Sequence, residues 1–302
     1  MKRTYKTEQP KCPSAILCAD FHIREDVPVC RTDDFLTAQW EKVDFISDFQ
    51  KKYNCPVLHA GDVFETKNPV MSWKPSPYLL TMAIKRFPKQ LCIVYGNHDL
   101  PQHSIEQSEK SGVETLRAAE TLYILDGCHW EQVPKKKSYT FASDPDLKIL
   151  IWHVMTYVGK SPWPGCTDLT AKQILEKYPQ FDLILTGHNH KTFVEELDGR
   201  LLVNPGSLTR QDADQEDHEP CIYLWYSETN TVEQVLLPYS KGVISREHID
   251  APQERKERMQ AYIERMNLEW KAGLSFKDNL EVHFRENKIP RKIKEKIWAS
   301  ME

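Results

Sequence analysis

Residues 91–99 read LCIVYGNHD: five residues, all apolar or aromatic, then a glycine and three polar side chains that can bind metal or move protons. Four other stretches repeat that grammar: SAILCADFH (14–22), PVLHAGD (56–62), KILIWH (148–153) and DLILTGHNH (182–190). A short apolar run that stops at a polar cluster reads as a buried strand with the cluster at its C-terminal end. In α/β sheets that edge is where ligands bind. Five such strands predict an α/β fold in which Asp20, His22, Asp62, Asn97, His153, His188 and His190 meet at one edge.

The chemistry of that set is specific. Carboxylate, amide oxygen and imidazole, with no thiolate, suit Mn, Fe or Zn. Seven ligands exceed what one ion with an open position takes. They suffice for two ions about 3.5–4 Å apart sharing a carboxylate, an arrangement that serves in-line displacement at phosphorus. Gly61, Gly96 and Gly187 stand where strand becomes loop, where a positive φ or a close backbone approach favours glycine. Each cluster alone is weak, since D-x-H or G-D occurs by chance in many proteins. Five in order after five strands are not.

The series D-x-H, G-D, G-N-H-D, a lone His and G-H-x-H resembles the calcineurin-like metallophosphoesterases over roughly residues 14–240. The resemblance implies a four-layer α/β/β/α sandwich with a short C-terminal helical extension. It implies that one metal takes Asp20, His22, Asp62 and His190, and the other Asp62, Asn97, His153 and His188, with Asp62 bridging. It also assigns His98 to the leaving group as a catalytic, non-ligand histidine, with Asp99 orienting its ring. The expected ions are divalent, Mn2+ foremost, with Fe2+, Zn2+ or Mg2+ open. Of the other histidines, His59 reads as a satisfied core imidazole; His103, His129, His218, His248 and His283 read as surface residues, with His103 a candidate substrate contact.

At 302 residues the chain has room for one large domain and an appendage. No apolar run is long enough to span a membrane, and MKRTYKTEQPKCP at the start has no apolar core of a secretory signal. Eight cysteines without a C-x-x-C pair read as buried small hydrophobes in a reducing, cytoplasmic compartment. Charge is uneven: residues 241–302 hold 14 Lys and Arg against 11 Asp and Glu, whereas the whole chain holds 40 against 44. With the last strand candidates, CIYLWY and VEQVLL, ending before it, this places a domain boundary near 240, with a catalytic domain over 1–240 and a basic helical extension over 241–302.

PYLLTMAIKRF (77–87) and SEKSGVETLRAAE (108–120) read as helices. The Pro-rich stretches KNPVMSWKPSPY and GKSPWPGC read as loops that shape a cleft; Trp73, Tyr78, Trp152, Tyr157 and Trp163 are their aromatic candidates, and core packing is preferred for Trp152. GDVFETKNPV (61–70) resembles the corresponding segment of SbcD-type DNA exonucleases, whereas NPGSLTR (204–210) fits that branch and small phosphodiesterases equally. The nuclease resemblance implies DNA as substrate and an SbcC-type ATPase as partner through the C-terminal helices, and it allows a homodimer. Those helices read as one capped by Asp250, carrying Met259, Tyr262, Ile263 and Met266, and one carrying Ile289, Ile293 and Ile297 at i, i+4, i+8 among basic residues. QDADQEDHE (211–219) reads as a solvated acidic loop, at odds with a polyanionic substrate if it faces the cleft. Two other readings stay open: a small-molecule phosphodiesterase or phosphomonoesterase, and a metal-stabilised binding or scaffold module.

Overall fold

A computed structural model describes residues 12–65, 75–125, 128–129, 132–134, 139–141, 144–250, 259–260 and 276–300. Trp73, most of KNPVMSWKPSPY and most of the helix expected after Asp250 lie outside those residues.

Alternation within each apolar run builds the layers. In β1 (Ala15–Cys18), Ala15 and Leu17 face one way and Ile16 and Cys18 the other, and all four are buried. A strand covered on both faces is uninterrupted apolar sequence. β2 (Val57–His59), β3 (Leu91–Ile93) and β4 (Leu122–Ile124) follow β1 in parallel; β10 (Cys221–Tyr226) pairs antiparallel with β1, and β11 (Thr231–Leu236) with β10. The order is β11-β10-β1-β2-β3-β4.

In the second sheet β6 (Asp144–His153), β7 (Leu183–Gly187) and β9 (Arg200–Asn204) run parallel. β5 (Tyr139–Phe141) and β8 (Phe193–Leu197) pair antiparallel at its edges, giving β5-β6-β7-β9-β8. Leu17, Leu58, Val94, Tyr223 and Trp225 of the first sheet region meet Ile149, Ile151, Leu183, Leu185 and Val203 in one core between the sheets.

Helices cover both outer faces. α1 (Phe35–Tyr53), α2 (Pro77–Arg86) and α3 (Gly112–Ala118) pack on Ile16, Val57, Leu91 and Ile93. α4 (Ala171–Lys177), closed by a Thr170–Gln173 capping box, packs on Leu150, Ile184 and Leu202. Trp152 joins this layer, edge-on to Tyr178 at 5.7 Å, so its core assignment holds. The result is the four-layer α/β/β/α sandwich. Within the 108–120 stretch, a single helix does not form. A 3-10 segment over Ile105–Lys110 ends at Ser111, which is extended and whose hydroxyl accepts the Glu114 N–H as the cap of α3. A serine that caps competes with its own place inside a helix.

The residues fall into two units, the first ending at Ser245 and the second beginning at Arg246. In the second, α5 (Phe276–Glu286) and α6 (Arg291–Ala299) form a short helical pair. The isoleucine stripe needs correction here. Ile289 precedes Pro290, which is the cap of α6, because the residue before proline is biased away from helix. Ile289 and Ile297 pack with Leu280, Phe284 and Trp298, while Ile293 is exposed. No helix among the described residues is long and apolar enough to cross a membrane, and all eight cysteines are free thiols.

Candidate metal centre

Every ligand candidate sits just past, or on, the last residue of a strand. β1 delivers Asp20 and His22, β2 Asp62, β3 Asn97, β6 His153 and β7 His188 and His190, so both sheets contribute to one edge. Asp20, His22, Asp62 and His188 all hold left-handed backbone, with φ of 49°, 46°, 60° and 76°. Non-glycine residues accept such strain chiefly at functional sites, where surrounding contacts over-determine it. Those contacts are visible: Asp20 N–H donates to Gly61 carbonyl at 3.0 Å, and the Asp20 carboxylate accepts the His188 N–H at 3.0 Å. Gly61, with φ of 93°, and Gly96 let the loops close; a Cβ on Gly96 would collide with the Asp62 carboxylate.

The side-chain atoms cluster tightly. His22 Nε2 and His190 Nε2 are 3.0 Å apart. Asn97 Oδ1 lies 3.0 Å from His153 Nε2 and 3.1 Å from His188 Nδ1. Asp62 Oδ2 lies 3.3 Å from His153 Nε2 and 3.6 Å from His22 Nε2, while its Oδ1 accepts the His98 N–H at 2.8 Å. Ligands about 2.0–2.2 Å from a cation stand roughly 3.0–3.6 Å from one another, so these separations are those of a coordination polyhedron. Groups able to hold an ion form from Asp20, His22 and His190, and from Asp62, His153 and His188; a third combines His22, Asp62 and His98. The donor set therefore has the chemistry of a divalent-cation site, and Asp62 Oδ2 stands between His22 and His153. His153 Nδ1 lies 2.7 Å from the Ala60 carbonyl, which fixes its proton there and leaves Nε2 as the donor atom.

Charge crowds here. Burial works against ionisation of His22, yet Glu65 and Asp62 lift it to about 9. Burial works the same way on His153, and Asp62 lifts it to about 9. Burial and the neighbouring imidazoles push His188 down to about 4 and His190 to about 3, keeping both neutral. Asp62, despite its burial, is held well below the usual carboxylate range by His153 and His22.

The two proposed catalytic residues part company. Asp99 does not reach the His98 ring. Its carboxylate accepts backbone N–H groups from Asp62 (2.8 Å), Val63 (2.8 Å), Gly96 (3.0 Å) and Phe64 (3.3 Å), stitching the second loop to the third. Glu65 takes the place expected of Asp99: one oxygen lies 3.2 Å from His98 Nδ1 and the other 2.7 Å from His22 Nδ1. Those two partners overcome burial and hold Glu65 well below the usual carboxylate range. Its sequence signal was its place three residues after Asp62, where a strand-end loop turns back over the site. Asn204, fully buried, was also missed; it donates to the Asn189 and Lys191 carbonyls and so fixes the loop carrying His188 and His190.

Other histidines differ from expectation. His59 is fully buried and accepts the Gly61 N–H at Nδ1, but its Nε2 has no polar partner; burial brings it down to about 3, so it is neutral. His129 accepts the Tyr95 N–H and His218 lies 2.8 Å from the Ser207 carbonyl, so neither is simply a surface residue. His103 Nδ1 is 2.8 Å from the Asn97 carbonyl, and its ring stands 6.1 Å from that of His98. A cavity of about 260 Å3 opens above His22, His98 and His190, lined also by Arg24, Glu65, Gln211 and Asp212. The acidic loop therefore sends one carboxylate, Asp212, into the cleft.

Comparison with known proteins agrees with this geometry. The profile described as the calcineurin-like phosphoesterase superfamily domain matches residues 15–225. The DNA double-strand break repair protein Mre11 of Haloferax volcanii is 26% identical over 201 residues, 62% of this chain and 43% of that protein, so the chain spans less than half of this relative. Among solved structures, a novel archaeal phosphodiesterase matches 74% of this chain and 99% of its own at 18% identity and a TM-score of 0.42. A putative 5'-nucleotidase from Staphylococcus aureus matches 76% and 54% at 14% identity and a TM-score of 0.42. The matched segment runs from β1 to β10 and contains all seven convergent residues, and the chain belongs to the calcineurin-like phosphoesterase superfamily.

Proposed function

We propose that this phosphoesterase is a metal-dependent phosphodiester hydrolase acting on DNA, with two divalent ions, Mn2+ foremost, held by Asp20, His22, Asp62, Asn97, His153, His188 and His190. The observation that carries the two-ion reading is Asp62 Oδ2, which faces His22 on one side and His153 on the other. The choice of DNA rests on the similarity to Mre11. When bound, such ions supply a nucleophilic water near neutral pH and neutralise charge on phosphoryl oxygens.

The chain's own residues do the rest. His153 is oriented by the Ala60 carbonyl, His188 by Asn97 Oδ1 and His22 by Glu65. His98, part-exposed on the cavity with its Nδ1 3.2 Å from a Glu65 oxygen, supplies its other nitrogen as a proton donor for the departing oxygen. Asp62 positions it from behind by accepting its backbone N–H. Asp99 holds the Asp62 and Asn97 loops in register.

Asp212 and Glu65 in the cleft support a second reading, a small diester lacking further phosphates. Mn2+-dependent digestion of linear and circular, single- and double-stranded DNA, beside bis(p-nitrophenyl) phosphate, separates the two. Cleavage of DNA supports the first; hydrolysis of the small diester alone overturns it. We further propose that residues 241–302 act as a separate unit for a partner such as an SbcC-type ATPase, with Ile293 and its basic neighbours as the exposed face of α6.

A further inference from the structure

A second cavity, about 420 Å3, lies between the start of α1 and α2, and Arg24 lines both it and the catalytic cavity. Arg24 is only 8% exposed and is built in. Its backbone N–H and carbonyl bond to the two ends of the Gln39 amide, at 3.1 and 2.7 Å. Its Nε and Nη2 donate to Asp26 and its Nη1 to Gln211. Those bonds use three of the five N–H groups of a guanidinium and leave two in a fixed plane at the junction.

The walls beyond that junction differ from those above the metal ligands. Trp40, Leu36, Met82 and Tyr78 supply apolar and aromatic surface. Tyr78, at the second position of α2, is 63% exposed. Ser76 caps that helix and donates to Glu25 at 2.6 Å, so the aromatic rim is tied to the segment that carries Arg24. Arg86, the other cation on the wall, is paired with Asp44 as Arg24 is with Asp26, and the carboxylate of Glu25, which accepts from Ser76, also lines the cavity. A chamber of this size is within the usual range for a small-molecule site. It suits a flat, uncharged, aromatic group, and the two spare N–H groups of Arg24, the residue it shares with the catalytic cavity, suit a phosphate.

We propose that this cavity is a nucleotide subsite, taking the base and sugar next to the scissile phosphodiester, with Tyr78 stacking on the base and Arg24 contacting the neighbouring phosphate at the junction. This rests on the nucleic-acid reading above. It also explains how a polyanion tolerates Asp212 and Glu65: the chain leaves the catalytic cavity past Arg24 rather than along the acidic loop.

The test compares substrates sharing one leaving group: the 5'- and 3'-(p-nitrophenyl phosphate) esters of thymidine against methyl p-nitrophenyl phosphate, with the full Mn2+-loaded chain. Base–aromatic stacking measured by alanine substitution corresponds to about a tenfold effect. In Tyr78→Ala the ratio of kcat/KM for the preferred thymidine ester over the methyl ester should fall about tenfold, through KM. Tyr78→Phe should keep the ratio, Met82→Trp, which fills the chamber, should lower it, and Tyr123→Ala, an exposed ring on β4, should leave it unchanged. If the wild-type protein favours thymidine esters and neither Tyr78→Ala nor Met82→Trp alters that preference, the subsite is wrong while the nucleic-acid reading stands. If the wild-type protein hydrolyses the methyl ester but neither thymidine ester nor DNA, the nucleic-acid reading falls and the subsite with it.

Discussion

Asp99→Ala removes a 3% exposed carboxylate that four backbone N–H groups share. A hydrogen bond to a charged group contributes about 1.5–3 kcal/mol net, and a buried donor left unmade costs about 1–3 kcal/mol. Discounting the long Phe64 contact and allowing water into the space, the loss is on the order of 4–8 kcal/mol. That rivals the whole stability of a typical domain, about 5–15 kcal/mol. Asp99→Asn is the gentler perturbation. Its remaining oxygen keeps one pair of donors, and its amide turns toward the other pair. Burial and the charge of Asp62 push the Asp99 carboxyl up to about 6, so removing that charge offsets part of the loss. A net destabilisation of about 1–3 kcal/mol is expected for the asparagine variant, measured by urea unfolding followed by circular dichroism. Alanine within about 0.5 kcal/mol of wild type would refute the strut, and with it the account of how the second and third loops are held in register.

Three further outcomes are expected. His98→Ala should retain both metals yet lose about 10²–10⁴-fold in turnover, with a smaller deficit for nitrophenolate leaving groups; metal loss in parallel with rate would contradict a proton-donor role. Glu65→Gln should weaken metal binding about 10–100-fold where His22 is a ligand, seen by Mn2+ titration; unchanged affinity would mean that the 2.7 Å contact to His22 orients nothing. Lys42 is 3% exposed, donates to the Ala38 carbonyl, and is brought down to about 8 by burial and by Arg31 and Arg210. Between about pH 8 and the ordinary lysine value the unfolded chain binds the extra proton, so stability should rise with pH across that window. Lys42→Met should flatten that slope and stabilise the protein at pH 7 by about 1–3 kcal/mol; an unchanged slope would show that another group titrates.

The ligand edge was legible because both faces of each central strand are buried, which makes the strand an unbroken apolar run and its end unmistakable. Asp20, His22, Asp62, Asn97, His153, His188 and His190 could thus be placed without knowing the sheet order. What sequence could not carry was orientation beyond the ligands. Asp99 stands beside His98 in the chain, but its carboxylate turns to the backbone of the neighbouring loop, and Glu65 reaches His98 through space. Ser111 looks like any serine inside a helical run until its hydroxyl is seen to cap α3. Ile289, Ile293 and Ile297 fit a helical stripe until Pro290 sets where α6 begins. Arg24 and Tyr78 are separated by 54 positions in the chain, and only the folded cavity joins them to one wall.

The proposed metal centre is a pair of cations sharing Asp62. Calorimetric titration of the metal-stripped chain with Mn2+, run beside Asp62→Asn, tests it most directly. Two ions per wild-type chain are expected, with loss of binding at both positions in the variant and phosphodiesterase activity abolished. A single ion in the wild-type protein, or an Asp62→Asn chain that keeps two ions and near-normal turnover, would contradict it.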